Sequence, residues 1–198
     1  MKIKSLALIA GLTMSLGAQA AVTITFDEFP ATNDNAPITN EYAGLGVTFG
    51  ATNAGTWGGL SAGDPGNWDL EGTNGPAFLG NNDAGYITSI FFSSLINNVS
   101  FDASRSSGSD AGQTLTISAY NGAALVASQT ITFGDINNWT SVSFATTGID
   151  SLILDGSDAG FSPYGIDNLV VAVPEPETYG MLLAGLGLIG FIAYRRRV

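Results

Sequence analysis

Apolar and polar residues alternate along short stretches of the chain, and this period of two constrains the fold more than any other feature. Val22, Ile24 and Phe26 alternate with threonine and aspartate, and Leu115 and Ile117 alternate with threonine and serine. Successive side chains of an extended strand point to opposite faces, so each run can bury one face. Glycine, asparagine, aspartate and serine separate the runs, as is typical of turns.

The same kind of pattern recurs along most of the chain, without an amphipathic helix between the runs. It predicts further strands near residues 45–49, 86–92, 99–103, 125–133, 142–144, 152–154 and 166–171. Asn121 and Gly122 both tolerate positive φ and predict a tight hairpin turn. About nine or ten short strands indicate an all-β fold, an antiparallel β-sandwich of the jelly-roll kind.

Charge is distributed unevenly along the chain. Of 17 acidic and 6 basic residues, fifteen acids but only Arg105 lie between residues 21 and 173. A surface this acidic repels polyanions, because nucleic-acid binding depends on lysine and arginine at the phosphates. We therefore expect no nucleic-acid partner, and we expect cations to be the natural small partners.

The composition also removes several catalytic chemistries. The chain has no histidine and no cysteine, which excludes Ser-His-Asp and Cys-His catalysis and the ordinary zinc sites built from those ligands. A glycosidase that works with two carboxylates stays open as an alternative, since it needs only two acids at a suitable separation. We expect a protein that is not an enzyme.

The N-terminus has the organisation of a bacterial signal peptide. Lys2 and Lys4 precede an apolar stretch at residues 6–16, and the small residues Ala18 and Ala20 provide a signal peptidase site. We expect cleavage before Ala21, so that residues 1–20 are absent from the mature protein. An N-terminal anchor that is kept is the alternative, but the apolar stretch is short for a span of about 20 residues.

The C-terminus carries three features in a fixed order. Pro174, Glu175 and Pro176 come first, an apolar stretch at residues 178–194 follows, and a cluster of three arginines ends the chain. A helix over that stretch is about 26 Å long, which is a minimal transmembrane span. The arginines Arg195, Arg196 and Arg197 belong on the cytoplasmic side, so the preceding domain faces outward.

This order closely resembles the PEP-CTERM sorting signal of exported proteins in Gram-negative bacteria. The resemblance implies processing near Pro174-Glu175-Pro176 by an exosortase, after transient anchoring by the C-terminal helix. Together with the N-terminal features and the strand pattern, it divides the chain into a signal peptide (1–20), a β-sandwich domain (21–173) and a sorting signal (174–198). The expected destination is the cell surface or extracellular matrix, with a link to exopolysaccharide or biofilm. An anchor that is never processed is the alternative.

The first and last predicted strands are similar to those of galactose-binding-like jelly rolls. The segments concerned are 26–29, 42–49 and 164–171. In that superfamily acids on adjacent end strands often hold a structural calcium ion, which implies Asp27, Glu28 and Asp167 as ligands here. Hard cations of this kind prefer oxygen ligands. The alternative is that Asp27 and Glu28 end the first strand while Asp167 faces solvent.

Residues 51–76 are rich in glycine and asparagine and contain Trp57 and Trp68. Long loops in compact domains are often functional, and exposed indole rings can stack on sugars. A carbohydrate-binding module that uses Trp57 and Trp68 is therefore a second hypothesis beside a non-enzymatic envelope protein. The alternative is that both rings cover the end of the sandwich.

Overall fold

The computed structural model describes residues 19–27, 38–51, 57–61, 70, 72–73, 77–81, 87–106, 111–156, 164–174 and 185–187. The chain divides into a compact unit from Gln19 to Pro174 and a second unit formed by Met1–Ala18 with Glu175–Val198. In the second unit only residues 185–187 are described, and they are helical. Within the described residues, no helix has the length and apolarity required to cross a membrane.

Strands make up nearly all regular structure of the described domain, as the alternating pattern predicts. A 3-10 helix at Ala43–Leu45 precedes the second strand. The strands are β1 (Gln19–Ile24), β2 (Val47–Ala51), β3 (Trp57–Ser61), β4 (Ala77–Asn81), β5 (Ile87–Ile96), β6 (Val99–Arg105), β7 (Thr114–Asn121), β8 (Ala124–Thr132), β9 (Thr140–Phe144), β10 (Ile149–Asp155) and β11 (Tyr164–Pro174).

The strands form two antiparallel sheets. One sheet has five strands in the order β2-β5-β10-β7-β8. The other has the order β3-β4-β11-β6-β9, and β1 pairs with β11 beside this path. Strand β11 therefore has three partners, because β4 pairs with its first residues, β1 with its last residues and β6 with its other edge.

The main core lies between the sheets and contains the inward side chains of both. Phe101 on β6 and Ile166 on β11 belong to the same buried cluster as Ile90 on β5 and Leu154 on β10. A hydrogen bond also joins the sheets, because the hydroxyls of Tyr164 and Thr88 lie 2.6 Å apart. Burial raises the pKa of Tyr164, so this phenol is neutral at physiological pH.

Three aromatic rings close one part of the core. The ring of Phe26 lies 5.6 Å from that of Tyr42 and 6.1 Å from that of Phe49, in edge-to-face geometry. Phe26 has φ of 62°, a conformation that bulky residues rarely adopt. The buried contacts of this ring hold the backbone in that conformation just after the end of β1.

Two strands were not predicted from the sequence. Strands β3 and β4 lie in or beside the glycine-rich stretch, which is therefore not a continuous loop. All five residues of β4 are buried, so the strand shows no alternation of apolar and polar residues. Strand β3 has the sequence WGGLS, in which two glycines weaken the strand signal.

The predicted hairpin is present, but its loop is displaced by one residue. Asn121 pairs with Ala124, so the two-residue connection between β7 and β8 is Gly122-Ala123. Gly122 has φ of 57°, which supplies the left-handed conformation that a tight hairpin requires. Asn121 stays in the ladder.

A small apolar cluster lies on the face of β4 and β11 that is turned away from the main core. It contains Leu70 and Phe78, with Ile136 and Trp139 packed against them. A Cβ atom on Gly165 would lie 2.7 Å from Cδ2 of Phe78 and 3.1 Å from Cδ1 of Leu70. Gly165 is therefore required because these two side chains pack directly on the backbone of β11.

The Gly165→Ala variant is expected to be less stable by about 1–3 kcal/mol, because a buried ring must move to admit the methyl group. Urea unfolding of the purified mature protein measures the difference. Gly44→Ala is the matched control, since a Cβ there meets nothing within 4 Å. Equal losses in the two variants would contradict the close packing at Gly165.

Candidate functional site

Strand β11 contains a bulge in the part that pairs with β6. Asp167 lies opposite Asp102, but the next aligned pair is Val170 with Ser100, so the register shifts between them. Asn168 has φ of 52°, a left-handed conformation that asparagine tolerates better than most residues. Bulges re-aim side chains and are common beside functional sites.

Asp167 is a buried acid within this irregularity. It is 0% exposed and shares a face of β11 with Gly165, two residues earlier. Its Oδ2 accepts hydrogen bonds from the backbone N–H and the hydroxyl of Thr73, each at 2.7 Å. Its Oδ1 accepts a third from the N–H of Asn168 at 2.7 Å. The carboxylate therefore ties the segment at residues 72–73 to the sheet.

Burial has the largest effect on the pKa of Asp167. It raises the pKa of the carboxyl above 3.8, and the hydrogen bonds from Thr73 and Asn168 oppose this shift. The charge of Asp27 raises the pKa further. The two acids are therefore close enough to interact.

Asp102 is the cross-strand neighbour of Asp167, and its oxygens have different donors. The hydroxyl of Ser141 donates to Oδ1 at 2.6 Å, and the side-chain amide of Asn168 donates to Oδ2 at 3.0 Å. The same amide also donates to the hydroxyl of Thr73. Like charges that face each other across strands destabilise a sheet, and these donors offset that repulsion.

A groove of about 310 Å³ lies on this face of β6, β9 and β11. It is lined by Ser100, Phe101, Asp102, Ser141, Val142, Ser143, Asn168 and Val170. Hydroxyl, amide and carboxylate groups are the partners that a ligand rich in hydroxyls needs. Paired-carboxylate catalysis by Asp102 with Asp167 does not fit the geometry, because Asp167 is buried and both its oxygens are hydrogen-bonded.

The structure brings together two of the three residues predicted to bind calcium. Asp27 Oδ1 accepts a hydrogen bond from the N–H of Ala77 at 3.1 Å, and its charge acts on Asp167. Asp167 is buried, which contradicts the alternative that it faces solvent. Glu28 lies outside the described residues. Among the residues that the structure describes, no group of three acids is placed to hold a metal ion.

The predicted aromatic site lies largely outside the described residues. Trp57 is the first residue of β3 and pairs with Asn81, but its side chain is not described. Trp68 lies outside the described residues. Trp139, in contrast, packs its ring edge-to-face on Phe78 at 6.1 Å.

The described residues of the predicted processing sites lie near the start of β1 and at the end of β11. Ala20 and Ala21 belong to β1 and pair with Val173 and Ala172. Pro174 is the last residue of β11. The other residues predicted for processing and sorting lie outside the described residues, namely Ala18, Glu175, Pro176, Arg195, Arg196 and Arg197.

Four residues of the site were not predicted from the sequence, namely Thr73, Asp102, Ser141 and Asn168. They come from four separate parts of the chain, and only the sheet register brings them together. One signal was present, because asparagine directly after aspartate in a strand of apolar residues is compatible with positive φ and a bulge. The other three have no local pattern that distinguishes them from surface residues.

Comparison with known proteins confirms the prediction of a sorting motif at the C-terminus. The family model for the PEP-CTERM protein-sorting motif matches residues 172–197. The chain therefore carries this sorting motif. No curated protein matches the sequence.

Solved structures with similar folds include the K2 cleaved adhesin domain of Lys-gingipain. It has a TM-score of 0.50 and 13% identity, over 77% of this chain and 99% of that domain. The tandem CBM22-1-CBM22-2 domain of Paenibacillus barcinonensis Xyn10C has a TM-score of 0.50 and 12% identity, over 82% of this chain and 48% of that one. These likenesses support a β-sandwich fold of the jelly-roll kind.

Removing the Thr73 hydroxyl should destabilise the protein more at neutral pH than in acid. Because the fold raises the pKa of Asp167, the contribution of this group to stability is fully present below the unfolded pKa and is lost as the pH rises through the folded pKa. The hydroxyl offsets part of that loss by donating to the ionised carboxylate. Thr73→Val should cost about 1.5 kcal/mol at pH 7 and less in acid.

Urea unfolding of wild type and variant from pH 3 to pH 8 measures this difference. Thr116→Val is the matched control, since the Thr116 hydroxyl pairs with that of Thr130 at an exposed position and its loss should not depend on pH. A Thr73→Val effect that is constant over the whole range would show that the bond to Asp167 is not charge-assisted.

Proposed function

We propose that this chain is an exported, non-enzymatic β-sandwich protein that an exosortase processes and releases to the cell surface or extracellular matrix of a Gram-negative bacterium. The match of residues 172–197 to the PEP-CTERM sorting motif carries this proposal. A signal peptide cleaved before Ala21 brings the chain to the membrane. The C-terminal apolar stretch then holds it there until processing. A role in an exopolysaccharide or biofilm matrix is part of the proposal.

The position of the motif suits this role. The compact unit ends at Pro174, the first proline of the motif, so processing there would separate the sandwich from the apolar stretch without cutting into its core. Glu175 is the charged residue between the two prolines. It is the side chain by which an enzyme could distinguish this junction from other proline-containing segments.

The Glu175→Ala variant is expected to keep its C-terminal segment and stay in the membrane fraction of cells that contain an exosortase. Mass spectrometry and fractionation compare it with wild type. Glu177→Ala is the matched control, because it removes an acid two residues away and leaves Pro-Glu-Pro intact. Identical mature masses and locations for wild type and Glu175→Ala would overturn the proposed sorting.

The second candidate function is carbohydrate binding, which the groove on β6, β9 and β11 favours. Its lining offers hydroxyls, the Asn168 amide and the Asp102 carboxylate. The acidic surface between residues 21 and 173 repels acidic polymers, so a neutral polysaccharide is the class that fits. Trp57 and Trp68 provide the other location at which a sugar could stack.

A glycan array with purified mature protein tests this candidate and separates the two locations. Ser143→Tyr fills the groove from an exposed position of β9, and Thr132→Tyr is the same kind of change on exposed β8. Binding lost only in Ser143→Tyr assigns the groove, and binding lost only in Trp57→Ala and Trp68→Ala assigns the tryptophans. Absence of binding to every neutral glycan would overturn the candidate, and release of reducing ends would favour the glycosidase alternative.

Structural calcium at Asp27, Glu28 and Asp167 stays part of the proposal. The described oxygens provide only part of a calcium shell, since Asp167 Oδ2 already accepts two hydrogen bonds and calcium takes six to eight oxygen ligands. A bound calcium ion would add positive charge to this acidic domain.

Calcium at about a hundred times its dissociation constant should stabilise the mature protein by about 2.7 kcal/mol. Melting temperatures in calcium and in chelator at matched ionic strength measure this. Asp27→Asn should abolish the rise, whereas Asp135→Asn, outside the proposed site, should retain it. Equal melting of wild type in both buffers would remove calcium from the proposal.

A further inference from the structure

The two ends of the folded domain meet in one ladder. Strand β1 runs antiparallel to the end of β11, and the register places Gln19 opposite Pro174 and Ala20 opposite Val173. The bond predicted to be cut by signal peptidase, between Ala20 and Ala21, is therefore directly across from the residues that lead into Pro-Glu-Pro. Two processing sites that are more than 150 residues apart in sequence are neighbours in the sheet.

The last two residues of β11 depend on β1 for their pairing. On the other edge of β11 the register with β6 ends where Val171 meets Val99, followed by one hydrogen bond from the N–H of Ala172 to the carbonyl of Asn98 at 3.1 Å. In the described registers, Val173 and Pro174 pair with no strand except β1. Removal of residues 19 and 20 therefore removes the whole ladder at this point.

We propose that signal-peptide cleavage prepares the sorting motif for processing, because it removes the two residues that pair with Val173 and Pro174. Hydrolysis of the Ala20–Ala21 bond consumes one water and leaves a carboxylate on Ala20 and an amino group on Ala21. The mature strand then begins opposite Ala172. This inference rests on the proposed exosortase sorting and adds an order to its steps: the N-terminal cleavage comes first and promotes the C-terminal one.

The physical reason lies in how proteases bind their substrates. A protease needs an extended segment with free backbone groups, and a segment held in a sheet reaches that state only by local opening. When opening is fast, the cleavage rate follows the population of the open form. Pairing with Gln19 and Ala20 lowers that population next to Pro174, by about fivefold for each hydrogen bond of ordinary strength.

The pairing at this end is also suited to being lost. The N–H of Ala172 points to Asn98 and therefore away from β1. Because hydrogen-bonded and non-hydrogen-bonded pairs alternate in an antiparallel ladder, Val173 and Ala20 form the hydrogen-bonded pair at this end, and Pro174 and Gln19 form a pair without ladder hydrogen bonds. The four remaining pairs of β1, from Ala21 opposite Ala172 to Ile24 opposite Leu169, keep the strand in the sheet. Loss of residues 19 and 20 therefore exposes the junction without removing β1.

The experiment uses the full chain in cells that contain an exosortase, with one foreign signal peptide placed so that its own cleavage leaves a chosen first residue. One fusion begins the mature chain at Ala21. A second begins it at Gln19 and carries Ala20→Val, which keeps a strand-forming residue and blocks the native site by removing the small residue there. A third begins at Gln19 and carries Ala20→Pro, which has the same length but disrupts the ladder.

Pulse-chase labelling measures the rate of C-terminal processing, and mass spectrometry verifies each first residue. We expect the fusion that begins at Ala21 and the Ala20→Pro chain to be processed at similar rates. We expect processing of the Ala20→Val chain to be slower by at least about fivefold. Equal rates for all three would overturn the inference, as would equal slowing by Ala20→Val and Ala20→Pro, because the cause would then be length. If even the chain that begins at Ala21 shows no exosortase-dependent processing, the sorting function itself is overturned together with this inference.

Discussion

The pairing of the final strand with three others is the interaction on which the domain depends. Strand β11 joins β1, β4 and β6 in one sheet, and it also carries Tyr164, whose hydroxyl bonds to Thr88 in the other sheet. In the described registers β1 pairs only with β11, and β3 and β4 pair with each other but join the rest of their sheet only through β11. The fold therefore cannot be complete until β11 has been synthesised.

The same strand also gathers the unusual chemistry of the domain. Gly165 lets Phe78 and Leu70 pack on its backbone, and the next residue on that face, Asp167, is buried beneath the segment at residues 72–73. The bulge at Asn168 then turns an amide toward Asp102. Close packing, a buried acid and a change of register occur within four residues, and the groove lies at their edge.

The sequence predicted the fold class, the antiparallel pairing and most strands, because alternation identifies strands that have one buried face. It did not predict β4, whose two faces are both covered, or β3, whose glycines carry no pattern. The sorting motif was predicted because its residues are contiguous. The network around Asp167 was not, because its members are separated by up to 95 positions and meet only through register.

Arg105 is the single cation between residues 21 and 173, so the domain carries a large excess of negative charge. Its Nε donates to the carbonyl of Gly134 at 2.6 Å and its Nη1 to the carbonyl of Ser106 at 3.4 Å, so it supports the loop that carries Ile136 and Trp139. Its charge does little to offset fifteen carboxylates. Wherever copies of this domain are crowded together they repel one another, over distances of about 8 Å at physiological ionic strength and about 30 Å in dilute salt. A dense layer of such domains swells in fresh water and contracts in brine.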